Sequence, residues 1–247
     1  SSDDTASVTV PASVVIPAGQ QRVVFPISTS QDGADGPTKI VELRATSAST
    51  PDAWNELAII NVPQPPTVQS VILNGGDTQR STVTVARVVF DRVVDIDASS
   101  GSPFQFSNLG TGATVDVTST VLTLGDQTIV DFSFTSQVNA AGSLVDGDYR
   151  LVIDAAAISS QGLTLDGDGD GSSGGDFLFG AVAADNFFRK YGDQNGNGTV
   201  ELFDFAAFRS TFGKSTGQAG YLAEFDSNGD DSVNLFDFAA FRANFGS

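Results

Sequence analysis

The sequence predicts a multidomain, mainly β chain, with antiparallel β-sandwich modules followed by a small α domain built on paired cation-binding loops. Three observations carry this expectation. Short β-branched runs separated by Pro, Gly, Asp and Ser fill most of residues 1–182, the pattern of half-buried strands joined by turns. From residue 183 onward Ala replaces Val and Phe recurs at helical spacing, the mark of an amphipathic helix. A twelve-residue phrase also occurs twice, 33 residues apart (226 − 193).

The elements follow in order. Residues 1–63 make a first module with strand candidates at 7–10, 14–16, 22–27, 39–45 and 57–62. Pro63-Gln-Pro-Pro66 then reads as a stiff, extended linker. Residues 64–182 make a second module with candidates at 67–73, 81–90, 104–107, 114–118, 121–124, 127–135, 147–153 and 177–179. Within 128–135 the alternation of apolar and polar residues marks a strand with one wet face. Residues 183–247 make the α domain. A lead-in helix is expected at 186–191 and a linker helix at 218–225. Leu202, Phe205, Phe208 and Phe212 share one helical face, and Leu235, Phe238, Phe241 and Phe245 share another. A domain of about 65 residues is near the size at which an apolar core alone is marginal. Metal binding would then be part of its folding free energy, and calcium removal is expected to melt the α part while leaving the β signal.

The repeated phrase supplies the metal argument. Calcium takes about six to eight oxygen ligands, and a twelve-residue loop offers them from positions 1, 3, 5, 7, 9 and 12. The first copy places Asp193, Asn195, Asn197, Thr199, Glu201 and Asp204 at those positions. The second places Asp226, Asn228, Asp230, Ser232, Asn234 and Asp237. Thr199 and Ser232, at position 7, would donate backbone carbonyls. Each copy runs into Leu-Phe-Asp-Phe-Ala-Ala-Phe-Arg, so ligand spacing and the following helix agree twice. Position 6 of the second loop is Asp231 rather than Gly. Asp tolerates the left-handed backbone that the turn needs, with some expected loss of affinity.

A third loop has related chemistry. Asp166, Asp168 and Asp170 stand at positions 1, 3 and 5, with Gly171 at 6 and Ser172 at 7. Position 12 is Phe177, and Asp176 falls one residue early. Three aspartates at this spacing repel one another unless a cation neutralises them, which favours a calcium site over a solvated acidic turn.

Composition narrows the function classes. The chain has no His, Cys or Met, so the usual general base, thiol nucleophiles and zinc–thiolate sites are excluded. Without Met, Ser1 is expected not to be a translation start. The net charge of −18 opposes binding to nucleic acid or anionic membranes. No apolar run approaches the length of a membrane span. Nearly all clustered carboxylates are accounted for by the cation loops, and Lys39, Lys190 and Lys214 sit near no nucleophile motif, so no catalysis is expected.

Residues 183–247 resemble a type I dockerin. The resemblance rests on the two EF-hand-like loops, each followed by a helix but lacking a full entering helix, with Asp at position 12. It implies calcium binding and a cohesin-like protein partner. Loop positions 10 and 11 depart from that family. The usual dockerin carries small hydroxyl residues there and uses them to recognise cohesin, whereas this chain has Leu202-Phe203 and Leu235-Phe236. Two readings stand side by side: the Phe residues close the interface between the two repeats, or they form a duplicated apolar partner surface. Residues 1–62 resemble the later strands of a Calx-β repeat, on Val10-Pro-Ala-Ser-Val-Val-Ile-Pro-Ala-Gly19 and the Asp32-Gly-Ala-Asp-Gly36 turn. The opening strands of that repeat are missing, so the open edge would be completed by upstream sequence or by another copy. Asp32 and Asp35 read as a solvated turn. Residues 67–182 resemble a bacterial Ig-like domain, on Asp146-Gly-Asp-Tyr-Arg-Leu-Val-Ile-Asp154.

These resemblances imply the non-catalytic C-terminal region of a large secreted bacterial protein, extracellular or on the cell surface. The β modules would act as spacers and the calcium-loaded α domain as the anchor, with a cohesin-like or self partner. One alternative is a subunit of an extracellular filament or surface layer that assembles by strand complementation. Another is an accessory region of a polysaccharide-degrading enzyme, which needs exposed planar aromatics; only Trp54 and Tyr149 are available on the β modules.

Overall fold

The computed structural model describes residues 1–30, 38–48, 50–59 and 63–247. Asp32 and Asp35 lie outside them, as do the last three residues of the expected strand 57–62. The chain divides into two compact units, Ser1–Gln64 and Pro65–Ser247.

In the first unit, β1 (Val8–Thr9) pairs antiparallel with β2 (Ser28–Thr29). β3 (Lys39–Ala45) pairs with β4 (Ala53–Ile59) in unbroken register from Lys39↔Ile59 to Ala45↔Ala53. Val8 and Val41 are buried. The expected strands at 14–16 and 22–27 form no ladder, and Val15 and Val24 are exposed. β-branched composition favours a pleated surface only where a neighbouring strand covers it.

The second unit opens with a β-sandwich. One sheet runs β10 (Val117–Leu124), β11 (Gln127–Phe134), β6 (Val85–Phe90), β5 (Val68–Leu73). The facing sheet runs β15 (Phe177–Phe179), β12 (Gly147–Ile153), β8 (Phe104–Asn108), β9 (Thr114–Val115). A small sheet of β14 (Leu163–Thr164), β13 (Ile158–Ser160) and β7 (Asp95–Ile96) completes it. β6 and β12 alternate: Ala86, Val88 and Phe90 of β6, and Tyr149, Leu151 and Ile153 of β12, point into one core. Phe132 of β11 meets Phe104 and Phe106 of β8 edge-on, with centroids 4.9 and 5.1 Å apart. This is the aromatic geometry favoured where two sheets interlock.

The expected helix at 186–191 is instead β16 (Phe188–Arg189), which pairs with Gly147 and Asp148 at the start of β12. Phe187 drops into the sandwich core against Tyr149, Phe106 and Phe179. Tertiary burial thus overrides the local helical expectation. The expected helix at 218–225 is a turn followed by a single 3₁₀ turn at Ala223–Phe225. The two expected amphipathic helices form as α1 (Leu202–Thr211) and α2 (Leu235–Asn244). Phe208, Phe241, Phe225, Tyr191, Val200 and Val233 fill the small core between them.

Candidate metal centres

Each repeated loop is wound around its first carboxylate. Asp193 Oδ1 accepts the N–H groups of Gly196 (2.8 Å) and Asn197 (3.2 Å), and Oδ2 accepts that of Gly198 (2.9 Å). Asp226 does the same for Gly229 (2.8 Å), Asp230 (3.2 Å) and Asp231 (2.8 Å). Side-chain oxygens at positions 3 and 5 accept the N–H two residues on, in Asn195, Asn197, Asn228 and Asp230 alike. The twelfth carboxylate closes the ring. Asp204 accepts from Gln194 N (2.8 Å) and Glu201 N (2.9 Å), and Asp237 accepts from Ser227 N and Asn234 N (both 2.8 Å). That last bond also caps the following helix, because the N3 side chain reaches back to the N-cap N–H.

Positions 1, 3 and 5 of such a loop are those from which a hard cation takes side-chain oxygens. Asp193, Asp204, Asp226 and Asp237 are all buried. Burial, together with the neighbouring Asp204 charge, pushes the Asp193 carboxyl above its usual range, and a divalent ion would remove that penalty. Glu201 and Asn234 at position 9 each contact the position 5 side chain, Asn197 and Asp230. The donor set is oxygen only in both loops, so the residues present fit calcium. Asp231 takes φ +66°, the left-handed backbone that Gly198 adopts at +84° in the first loop.

The third loop repeats the pattern. Asp166 Oδ1 accepts from Gly169 N (2.8 Å) and Asp170 N (3.1 Å), and Oδ2 from Gly171 N (2.9 Å). Among the described residues, one oxygen from each of Asp166, Asp168 and Asp170 lies within 4.8 Å of the others. Ser172 donates its N–H to Asp170. Asp176 is turned to the sandwich, where its Oδ1 accepts from Ala155 N (3.0 Å), and it stands outside the carboxylate group.

Leu202 and Leu235, at the head of the two helical faces, are 75% and 73% exposed, and Phe203 and Phe236 are 61% and 75% exposed. These first-turn side chains lie outside the cluster that Phe205, Phe208, Phe238 and Phe241 form. The two Phe residues therefore do not close the interface between the repeats.

Sequence reasoning missed how the loops sit on the sandwich. Arg80 N donates to the Asp193 carbonyl (2.8 Å), and Ser81 Oγ donates to the Glu224 carbonyl (2.6 Å) and accepts from Gly192 N (2.9 Å). Asp146 Oδ1 accepts from Arg189 Nη1 (2.6 Å) and Tyr191 N (2.7 Å), and Oδ2 accepts from Asn244 Nδ2 (2.8 Å). No local pattern announces such partners, which lie between 43 and 143 residues apart.

No curated protein and no solved structure matches the chain. The family model of the dockerin type I domain matches residues 191–245, which span both loops and both helices, and this supports a calcium-binding, protein-interaction module at that end of the chain.

Proposed function

We propose that this chain is a non-catalytic anchoring region of a large secreted protein, in which a dockerin-like module carries two calcium ions and is borne on β-sandwich spacers. The observation that carries the reading is the repeated hydrogen-bond pattern around Asp193 and Asp226, which winds two loops of the same ligand spacing ahead of two helices. Calcium would be held by Asp193, Asn195, Asn197, Thr199, Glu201 and Asp204, and by Asp226, Asn228, Asp230, Ser232, Asn234 and Asp237. It does no chemistry there; it fixes the start of each helix. Leu202, Phe203, Leu235 and Phe236 then form the face for a protein partner, cohesin-like or self. The third loop, at Asp166, Asp168 and Asp170, is a further calcium candidate. Residues 64–182 read as an Ig-like sandwich and residues 1–63 as part of a Calx-β-like repeat. Cell-surface or extracellular placement accords with the dockerin likeness, and no helix among the described residues is long and apolar enough to cross a membrane. Titration calorimetry with calcium tests the reading: two sites are expected on the 191–245 segment. A pull-down from the secreted fraction with and without calcium then identifies the partner. In an Asp166→Ala background, which silences the third loop, loss of both sites in an Asp193→Ala/Asp226→Ala variant is the expected control, and calcium binding that survives it would refute the assignment.

A second reading, strand complementation in a filament or surface layer, is favoured by the first unit, where Ile40 and Trp54 of the β3–β4 pair are exposed. Sedimentation decides it, since a well-behaved monomer excludes completion in trans. The polysaccharide reading loses one of its two aromatics: Tyr149 is buried and its hydroxyl donates to the Val145 carbonyl (2.6 Å).

A further inference from the structure

Both cation loops rest against the sandwich, and they do so through backbone close to their ligands. On the first loop, the Arg80 N–H bonds the carbonyl of Asp193 itself, while Lys190 N donates to the Arg80 carbonyl (2.9 Å). Gly196 packs so closely that a Cβ there would stand 2.0 Å from the Thr78 carbonyl oxygen. On the second loop, Asn139 Nδ2 donates to the Ser227 carbonyl (3.2 Å), and a Cβ on Gly229 would stand 3.1 Å from Ala141 Cα. Between the two contacts lies buried Ser81, which bonds both Gly192, just before the first loop, and Glu224, just before the second. Its carbonyl also accepts from Arg189 Nε (2.8 Å). Two residues on, Val83 is part of the sandwich core and leads into β6. Asp146 makes the corresponding junction at the head of β12, tying β16 and the end of α2 to the same strand.

We infer, against the expectation that calcium removal leaves the β signal, that calcium stabilises the sandwich as well as the helices: residues 65–247 open and close as one cooperative unit, with Ser81 and Asp146 as its couplers. The inference rests on the calcium-loading reading above. An ion that binds only the folded loops shifts the whole unit to which those loops are cooperatively joined. Calcium withdrawal then loosens the spacer together with the recognition face, and calcium loading holds that face in one orientation on the spacer.

Hydrogen exchange of the full chain, read by mass spectrometry in calcium and in EDTA, tests this. At a calcium concentration about 100 times Kd, each site multiplies the folded-to-unfolded ratio by about a hundred. Peptides covering β6 and β11 are therefore expected to slow by at least that factor, together with peptides covering α1 and α2. Peptides covering β3, in the other unit, are expected to stay unchanged. Ser81→Ala removes both side-chain bonds of the coupler and is expected to cut the β6 and β11 response by about tenfold, the worth of a hydrogen bond or two. The proposal is overturned if the helix peptides respond to calcium and the β6 and β11 peptides do not. An undiminished response in folded Ser81→Ala overturns the assignment to Ser81. If that variant does not fold, the wild-type comparison alone decides. Absence of any calcium binding in calorimetry is a different failure, because it removes the functional reading and this inference together.

Discussion

Phe208 and Phe241 are one residue of the repeat seen twice, 33 positions apart (241 − 208), and their rings meet at 4.8 Å with an interplanar angle of 33°. The backbone is exchanged in the same symmetric way. Gly246 N donates to the Val200 carbonyl and Gly213 N to the Val233 carbonyl, both at 2.8 Å. Each repeat therefore completes the other's core. Phe208→Ala and Phe241→Ala are each expected to cost about 3–5 kcal/mol, a large share of a small unit's stability. Denaturant unfolding at saturating calcium, followed by circular dichroism, checks this, and a clearly smaller cost in one variant would contradict the symmetric core.

Gly196 and Gly198 share a positive φ, +71° and +84°, but only Gly196 has a neighbour in the way. Alanine at either position carries the left-handed penalty of about 1–2 kcal/mol. At Gly196 the added methyl must also displace the Thr78 carbonyl. Measured at saturating calcium, with calcium affinity determined separately, Gly196→Ala is expected to cost at least about twice as much as Gly198→Ala. Equal costs would mean that the loop does not press on the sandwich.

What could be read from the sequence depended on the range of the interaction. The ligand spacing from Asp193 to Asp204 is local, so both loops could be placed by inspection. The alternation in β11 was equally local. β10 was expected as two pieces, yet it runs unbroken through Ser119 and Thr120, paired with Phe132 and Asp131. Residues 186–191 are expected as a helix, but Phe187 is buried in the sandwich core and Arg189 finds Asp146, 43 residues away. Gly220, at φ +78°, breaks the helix expected at 218–225. The junction through Ser81 has no sequence signal at all, because a lone serine before a strand is ordinary.

Arg87 and Asp131 face each other across β6 and β11, joined by two bonds of 2.6 and 2.8 Å. The hydrogen-bonded guanidinium holds the Asp131 carboxyl below its usual range. A depressed carboxyl contributes stability that is present above its unfolded value, about pH 4, and is lost as pH falls through the folded value. Both side chains are partly exposed, so solvent screens the pair, and Asp131→Asn is expected to cost about 0.2–1 kcal/mol at pH 7 and low salt. Melts across pH should show wild type and variant converging as pH falls through the depressed Asp131 value. A gap that widens on acidification would reverse the sign and refute the pairing.

Phe203 and Phe236 are the residues on which the partner reading turns. A large aromatic in a core costs about 3–5 kcal/mol on truncation, whereas exposed positions away from special features usually change stability by no more than about 0.5 kcal/mol. Both rings are exposed, so Phe203→Ala, Phe236→Ala and the double variant are expected to keep the wild-type melting temperature and calcium affinity. Exposed aromatics at recognition faces nonetheless carry much of the binding energy, with truncations costing about 2 kcal/mol or more at the centre of an interface. Calcium-dependent capture of the partner, or self-association where the partner is a second copy, should therefore weaken by about thirtyfold or more in at least one single variant. If either copy of the face can bind, each single variant keeps one competent surface and only the double variant loses the partner. Unchanged capture by the double variant would assign recognition to another surface.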